Sequence, residues 1–280
     1  MRLRCLAPGK VNLTLYVGAP RADGLHPLVS VVQSLSLADE LTLEPPPRAA
    51  AADEVLCPGV EGENLAGAAL AVFRAATGWD APPQRLTIAK RVPVAAGMGG
   101  GSGDAAAALR LAAHAAGVDD TDLLLALAAK LGGDVPSQVA PGRTLMTGAG
   151  EHVRALPPAG GLALVILPSE HGLSTPAVYR EFDRLGVPRT PEELAELEAR
   201  GGDASVHNDL QDAARSLCPP IDEALDLVGV AGADHVLVSG SGPTVFGLHR
   251  DPDRAQAAAE AIGGVAASPV DAAFGAVHEA

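Results

Sequence analysis

Along the first third of the chain, short runs rich in Val, Leu and Thr alternate with polar or glycine-bearing breaks, the pattern of half-buried strands. Leu3–Ala7, Val11–Val17 and Val29–Leu37 read as strands, separated by Pro8-Gly9 and by Arg21-Ala-Asp-Gly24. Leu41–Leu43 continues the last of them until Pro45-Pro-Pro47 stops it. Helical spacing then takes over, with Asn64 as N-cap and Gly78 as stop. Gln84–Val92 reads as a strand, Ser102–Ala116 as an alanine-rich helix ended by Gly117, and Asp119–Leu131 as a further helix. Strands return at Arg143–Thr147 and His152–Leu156. Beyond Pro157-Pro-Ala-Gly-Gly161 come a buried-type strand (Leu162–Leu167) and helices near Thr175–Leu185, Pro191–Arg200, Asn208–Leu217 and Ile221–Gly229. Two strands (His235–Ser239, Thr244–Leu248), a helix (Pro252–Ile262) and a strand near Val265–Val270 complete the pattern. This alternation predicts an α+β fold. The Pro/Gly cluster predicts a junction between domains spanning 1–157 and 158–280.

Composition excludes several function classes. Of 280 residues, 48% are hydrophobic, enough for a full core, so global disorder is excluded. The net charge of −14 and an aromatic content of only 2% argue against a nucleic-acid partner, which needs a basic surface and rings for stacking. The acid excess is uneven: residues 1–140 carry 11 basic and 14 acidic side chains, residues 141–280 carry 9 and 20. An anion is therefore expected to bind in the N-terminal half. Cys5, Cys57 and Cys218 show no metal-ligand or disulfide spacing, which predicts the reducing cytoplasm. No apolar run reaches the ~18–20 residues of a membrane span, so no membrane association is expected.

The densest chemical signal is Val92-Pro-Val-Ala-Ala-Gly-Met-Gly-Gly-Gly-Ser-Gly-Asp104, which holds five glycines between a strand and a helix. Bare amides in such a loop, with the unpaired N–H groups of a helix start, form a cradle for polyphosphate. It contains neither GxxxxGK[ST] nor GxGxxG, so neither a Walker loop nor a dinucleotide fold is indicated. Ser102 reads as a candidate helix cap and a candidate donor to a phosphate or metal. Only three lysines stand against 17 arginines, and Lys10 lies inside an apolar strand, with Asn12 two residues on along the same face. Gly132-Gly-Asp134-Val-Pro136 and Val238-Ser-Gly-Ser-Gly-Pro-Thr-Val245 are turns that, alone, say only that backbones pass closely.

Together, these segments resemble the GHMP kinase superfamily. The resemblance rests on Pro8-Gly-Lys10, the Pro93–Ser102 loop, Gly133-Asp-Val-Pro136, Leu173-Ser-Thr-Pro176, Asn208-Asp-Leu210 and Ser239-Gly-Ser-Gly242, in that order from about residue 7 to 248. It implies an S5-like N-terminal domain and a ferredoxin-like C-terminal one. Lys10-Val-Asn-Leu-Thr-Leu-Tyr-Val17 running into Asp23-Gly-Leu-His26 narrows it to the branch that phosphorylates a cytidine diphosphate-linked methylerythritol, in non-mevalonate isoprenoid synthesis.

The resemblance implies ATP and Mg²⁺ as cofactors, with Asp134 as base toward the 2-hydroxyl and Lys10 orienting it. It assigns ATP to Pro93, Ala95, Gly97, Met98, Gly99, Gly100, Gly101, Ser102 and Gly103, with Ser102 the candidate metal contact. It assigns the alcohol substrate to Asn12, Leu25, His26, Thr175, Tyr179, Ser241 and Gly242, with His26 reading the cytosine edge and Tyr179 against its ring. A monomer or weak homodimer is expected. Three positions depart from the pattern: Leu25 replaces an aromatic that stacks on cytosine, Pro27 replaces a glutamate, and Ser102-Gly-Asp104 replaces Ser-Ser-Asn. Asp104 is expected to repel phosphates unless Mg²⁺ intervenes or the side chain turns away. The alternatives are a GHMP kinase of another small alcohol (homoserine, mevalonate or a sugar) and a non-catalytic GHMP-fold binding protein.

Overall fold

A computed structural model describes residues 1–201 and 205–280. Its strands are β1 (Leu3–Val17), β2 (Leu28–Glu44), β3 (Glu54–Leu56), β4 (Arg85–Ala89), β5 (Arg143–Gly148), β6 (His152–Ala155), β7 (Ala163–Leu167), β8 (His207–Asn208), β9 (His235–Val238), β10 (Val245–His249), β11 (Val265–Ala267) and β12 (His278–Glu279). Its helices are α1 (Leu65–Thr77), α2 (Gly100–Ala116), α3 (Thr121–Leu131), α4 (Thr175–Leu185), α5 (Pro191–Arg200), α6 (Gln211–Leu217), α7 (Pro220–Val230) and α8 (Pro252–Ile262). A 3₁₀ turn covers Pro136–Gln138. Among the described residues, no helix is long and apolar enough to cross a membrane.

The strands form two sheets. The first runs β12-β1-β2-β4-β3, with β5 and β6 continuing from the other half of β2 and β8 lying parallel to β1. The second is antiparallel, β11-β7-β10-β9. The 155–163 connection joins the last long strand of the first sheet to the first strand of the second, and the chain returns to the first sheet through β8 and β12. Period-two alternation explains how the second sheet is buried on both sides. Leu164, Ile166, Phe246 and Leu248 face a core shared with Val11, Leu13, Val31 and Leu35 of the first sheet. Val165 and Val245 point the other way, into a core with Val178 and Phe182 of α4 and Val228 of α7. Helices α1–α3 close the far face of the first sheet over Leu41, Leu86 and Ile88, with Phe73 of α1 buried among them. There Ala105–Ala108 are all fully buried, because small side chains let α2 lie close against β1.

One expected break is absent. Pro8-Gly9 does not end a strand: β1 runs continuously for 15 residues and β2 for 17. The interruption is instead a bulge, where pairing slips from Pro8↔Ala38 to Lys10↔Ser34. Conversely, the strand expected over Gln84–Val92 stops at Ala89, because the backbone N–H groups of Arg91 and Val92 turn to the Asp39 carboxylate. The short strands β3, β8 and β12 are too brief to leave a hydrophobic pattern.

Candidate active site

The register slip between β1 and β2, where Gly9 faces three residues of β2, gives Lys10 its setting. Its N–H is freed from the ladder and donates to the Met98 carbonyl at 2.9 Å, which ties the strand to the glycine-rich loop. The side chain is 3% exposed at residue level, and its Nζ donates to Asn12 Oδ1 at 2.7 Å. Asn12 Nδ2 donates to Ser30 Oγ at 2.8 Å, and that hydroxyl donates to the Thr14 carbonyl. Nζ also lies 3.1 Å from Asp134 Oδ2. Two residues 124 positions apart in the sequence thus meet. Asp134 sits in the turn after α3, where Ser137 Oγ donates to its carbonyl at 2.8 Å, and its side chain is 38% exposed against 4% for Lys10. The carboxylate therefore faces the cleft while the ammonium lies beneath it.

Pro93–Gly99 forms the opposite lip, and α2 begins two residues earlier than its pattern implied, at Gly100. Gly99 takes φ +64° as N-cap, and a Cβ there would stand 2.9 Å from Lys10 Cε. Gly97 takes φ +72°, and a Cβ there would stand 2.5 Å from the Ser239 carbonyl oxygen and 2.7 Å from that of Gly242. Both positions need glycine for conformation and for space. The loop is thereby pressed onto the 239–242 turn of the second sheet, and Ser239 Oγ donates to the Gly97 carbonyl at 3.1 Å. The first amides of α2 have no partner within the helix, and its dipole favours an anion there.

A cleft of about 430 Å³ lies between these walls. Of the sequence-predicted residues, Lys10, Asn12, Asp134, Pro93, Ala95, Gly97, Met98, Gly99, Gly100, Gly101, Ser102, Thr175, Tyr179 and Ser241 line it. Thr175 Oγ1 and Ser241 Oγ are hydrogen-bonded at 2.8 Å across its far wall. Burial, with the nearby Asp134 charge adding to it, pushes the Tyr179 phenol well above its ordinary pKa. Gly103, Leu25, His26 and Gly242 do not line the cleft. Gly103 faces the Pro8 carbonyl, where a Cβ would come within 2.9 Å, and Gly242 faces Val238 in the C-terminal core. Leu25 is 53% exposed at the tip of a turn. His26 stands behind the wall: its ring packs on Tyr179 at 4.8 Å between centroids, and its Nε2 pairs with Asp183 Oδ1 at 2.9 Å.

Several residues around the site were given no role in it by the sequence. Lys90 bridges Asp39, at 2.5 Å, and Asp104, at 2.9 Å, beneath the loop. Asp104 is 2% exposed, and its carboxylate is turned into this pair. Burial pushes its pKa up to about 7, which the Lys90 ammonium only partly opposes. Burial alone would lower Lys90, but the two carboxylates outweigh it and raise its pKa. The scarcity of lysine was the available signal for Lys90. Cys57, Val60, Glu63, Asn64 and Leu65 also line the cleft, on the β3–α1 connection and the first residue of α1, where Gly59, Glu61, Gly62 and Glu63 match no phosphate-loop motif. Asn208 is buried, and its amide donates to the Val238 and Gly240 carbonyls at 2.9 and 2.8 Å, bracing the 239–242 turn.

The glycine-rich loop and the Asp134 turn fall within residues 64–142, which match the GHMP kinases N terminal domain, and residues 179–266 match GHMP kinases C terminal. A relative from Streptomyces avermitilis is 43% identical over 283 residues, spanning 94% of this chain and 93% of its own. The chain belongs to the GHMP kinases. That relative is a 4-diphosphocytidyl-2-C-methyl-D-erythritol kinase, as is one from a Nocardioides species at 41% identity over 97% of this chain and 96% of its own. Among solved structures of the family, a 4-(cytidine 5'-diphospho)-2C-methyl-D-erythritol kinase matches with a TM-score of 0.74 and 37% identity, covering 98% of this chain and 97% of that one. A homoserine kinase from Cytophaga hutchinsonii matches at 0.65 over 99% of this chain and 97% of that one, but at 17% identity it shares the GHMP fold alone.

Proposed function

We propose that this GHMP kinase phosphorylates the tertiary 2-hydroxyl of 4-diphosphocytidyl-2-C-methyl-D-erythritol with ATP. The observation that carries the reading is the 3.1 Å approach of Lys10 Nζ and Asp134 Oδ2 in a cleft whose facing lip is an amide-lined glycine loop. The relatives at 41–43% identity supply the substrate. Asp134 accepts the hydroxyl proton as the substrate oxygen forms its bond to the γ-phosphorus. The β–γ bridging bond then breaks, and ADP leaves with the electron pair. Lys10, held by Asn12, points its charge at the same oxygen. Phosphoryl transfer asks chiefly for positioning and charge neutralisation, which the loop amides and the α2 N-terminus provide for the phosphates. Thr175, Tyr179 and Ser241 form the wall on the side of the cytidine-bearing substrate.

A magnesium ion accompanying ATP is held mainly by phosphate oxygens and water, with one or two protein oxygens. The hydroxyl of Ser102, in the first turn of α2, suits that arrangement, and no larger cluster of acidic or imidazole ligands is present among the described residues. When bound, the ion neutralises charge on the phosphates.

Homoserine, mevalonate or a sugar as acceptor would be favoured only by Leu25, which lies outside the cleft. A non-catalytic role is disfavoured by the paired Lys10 and Asp134. ADP release measured with this substrate and a panel of other alcohols tests the proposal. The expected result is turnover that requires the cytidine diphosphate-linked alcohol and falls at least ~10³-fold in Asp134→Asn. Equal turnover with homoserine or mevalonate would refute the substrate, and wild-type turnover by Asp134→Asn would refute the mechanism.

A further inference from the structure

Arg110 lies on α2, ten residues past its start, and donates to three backbone carbonyls from three separate parts of the chain. Nη2 donates to Leu6 at 2.9 Å, Nε to Gly275 at 3.0 Å, and Nη1 to Gln138. Among the described residues no carboxylate forms an ion pair with it; besides the three carbonyls, the guanidinium meets the buried Cys5 thiol of β1. The placement of two of those carbonyls matters. Leu6 precedes Lys10 by four residues on β1, and Gln138 follows Asp134 by four residues in the same turn. That turn is also fastened to β2, where Ser34 Oγ donates to Gln138 Oε1 at 3.3 Å, and Ser34 is the register partner of Lys10. Gly275 closes the third side tightly: a Cβ there would stand 2.9 Å from Pro141 Cγ and 3.1 Å from Arg110 Nη2.

We infer that Arg110 is a positioning residue for phosphoryl transfer, setting the spacing of Lys10 and Asp134 against the phosphate loop carried by its own helix. This rests on the reading of Lys10 and Asp134 as the reacting pair. The planar guanidinium fork holds several acceptors in one fixed geometry, whereas a lysine ammonium is a point charge on a flexible stem and fixes none of them. Because α2 is rigid and begins at the loop, one side chain links the phosphate loop to both Lys10 and Asp134. A misplacement of about 1 Å in such a constellation can cost roughly 10²-fold in rate.

The test is a cycle of Arg110→Lys with Asp134→Asn, read as kcat and the KM for ATP. Arg110→Lys alone is expected to lower kcat by between about 10-fold and 10²-fold, with the KM for ATP within about threefold of wild type. In the Asp134→Asn background the same substitution should cost less than about twofold, because the group it positions is already gone. An equal loss in both backgrounds, or a raised KM for ATP with unchanged kcat, would overturn the inference and leave Arg110 as a stabilising residue only. Gly275→Ala, whose methyl group would press on both Pro141 and the guanidinium, should repeat the pattern more weakly and serves if Arg110→Lys does not fold. Wild-type turnover by Asp134→Asn alone is a different outcome: it removes the reacting pair itself, and the inference with it.

Discussion

Asp104 is the residue whose chemistry differs most from its reading in sequence. A carboxylate at the start of a phosphate-binding helix reads as a repulsive charge, yet its side chain is spent on Lys90 beneath the loop. Two carboxylates share that one ammonium, and Asp104 is held at about 7 because burial disfavours its charge. The consequence for stability has a definite sign. The folded pKa lies above the unfolded value of about 3.9, so the stabilisation is fully present below that value and is lost as pH rises through about 7. Thermal unfolding of Asp104→Asn and wild type between pH 5.5 and 8.5 should therefore diverge. The Asn variant gains on wild type as pH rises toward about 7, by up to about 1.4 kcal/mol per pH unit, and the gain levels off above it. Parallel curves would refute the assignment. The clue to this trio was the rarity of lysine. Asp39, however, could not be connected with it from sequence, since its hydrogen-bond partners lie 51 to 53 positions away.

At the scale of elements, the segments with strong local signals were legible. The caps Asn64 and Gly78 of α1, the Asp120 cap of α3 and the Gly117 stop of α2 all act as local chemistry dictates. The register slip opposite Pro8-Gly9 was not legible, because a proline and glycine mark a strand break and a slip in pairing equally well until a partner strand is known. The Asp134 turn carries the same lesson, for only the fold brings it to Lys10. The phosphate loop itself offers a paired test of what its residues must be. Ala95 is a non-glycine residue at φ +55°, a conformation that costs an L-residue about 1–2 kcal/mol. Ala95→Gly relieves that strain but loosens the unfolded chain by about 0.4–1 kcal/mol, so its stability should fall within about 1 kcal/mol of wild type. Gly97→Ala adds a similar strain and also drives a methyl group into two backbone oxygens. It should lose more than about 2 kcal/mol, along with the thermal stabilisation that ATP confers. Chemical denaturation of the two variants side by side checks the contrast, and equal stabilities would mean the loop does not bear on the 239–242 turn.

The whole molecule poses an electrostatic problem, since a protein with a net charge of −14 is proposed to bind two polyanions. The cleft itself is not a basic funnel. Lys10 is matched by Asp134, Lys90 is outnumbered by Asp39 and Asp104, and Glu63 adds a further acid on the wall. Binding must then rest on short-range donors, the loop amides and the helix terminus, whose effect is confined to contact distance. The long-range field meanwhile opposes approach, and salt screens that field over about 10 Å at 0.1 M. The ionic-strength dependence therefore has a predicted sign, opposite to that of an enzyme that steers its substrate with positive charge. With magnesium in excess, kcat/KM for the cytidine diphosphate-linked alcohol should rise, by a few-fold at most, as monovalent salt increases from about 10 to 150 mM, while kcat stays level. A steep fall over the same range would show that positive charge guides the substrate in, and would place the cations responsible outside the cleft as described.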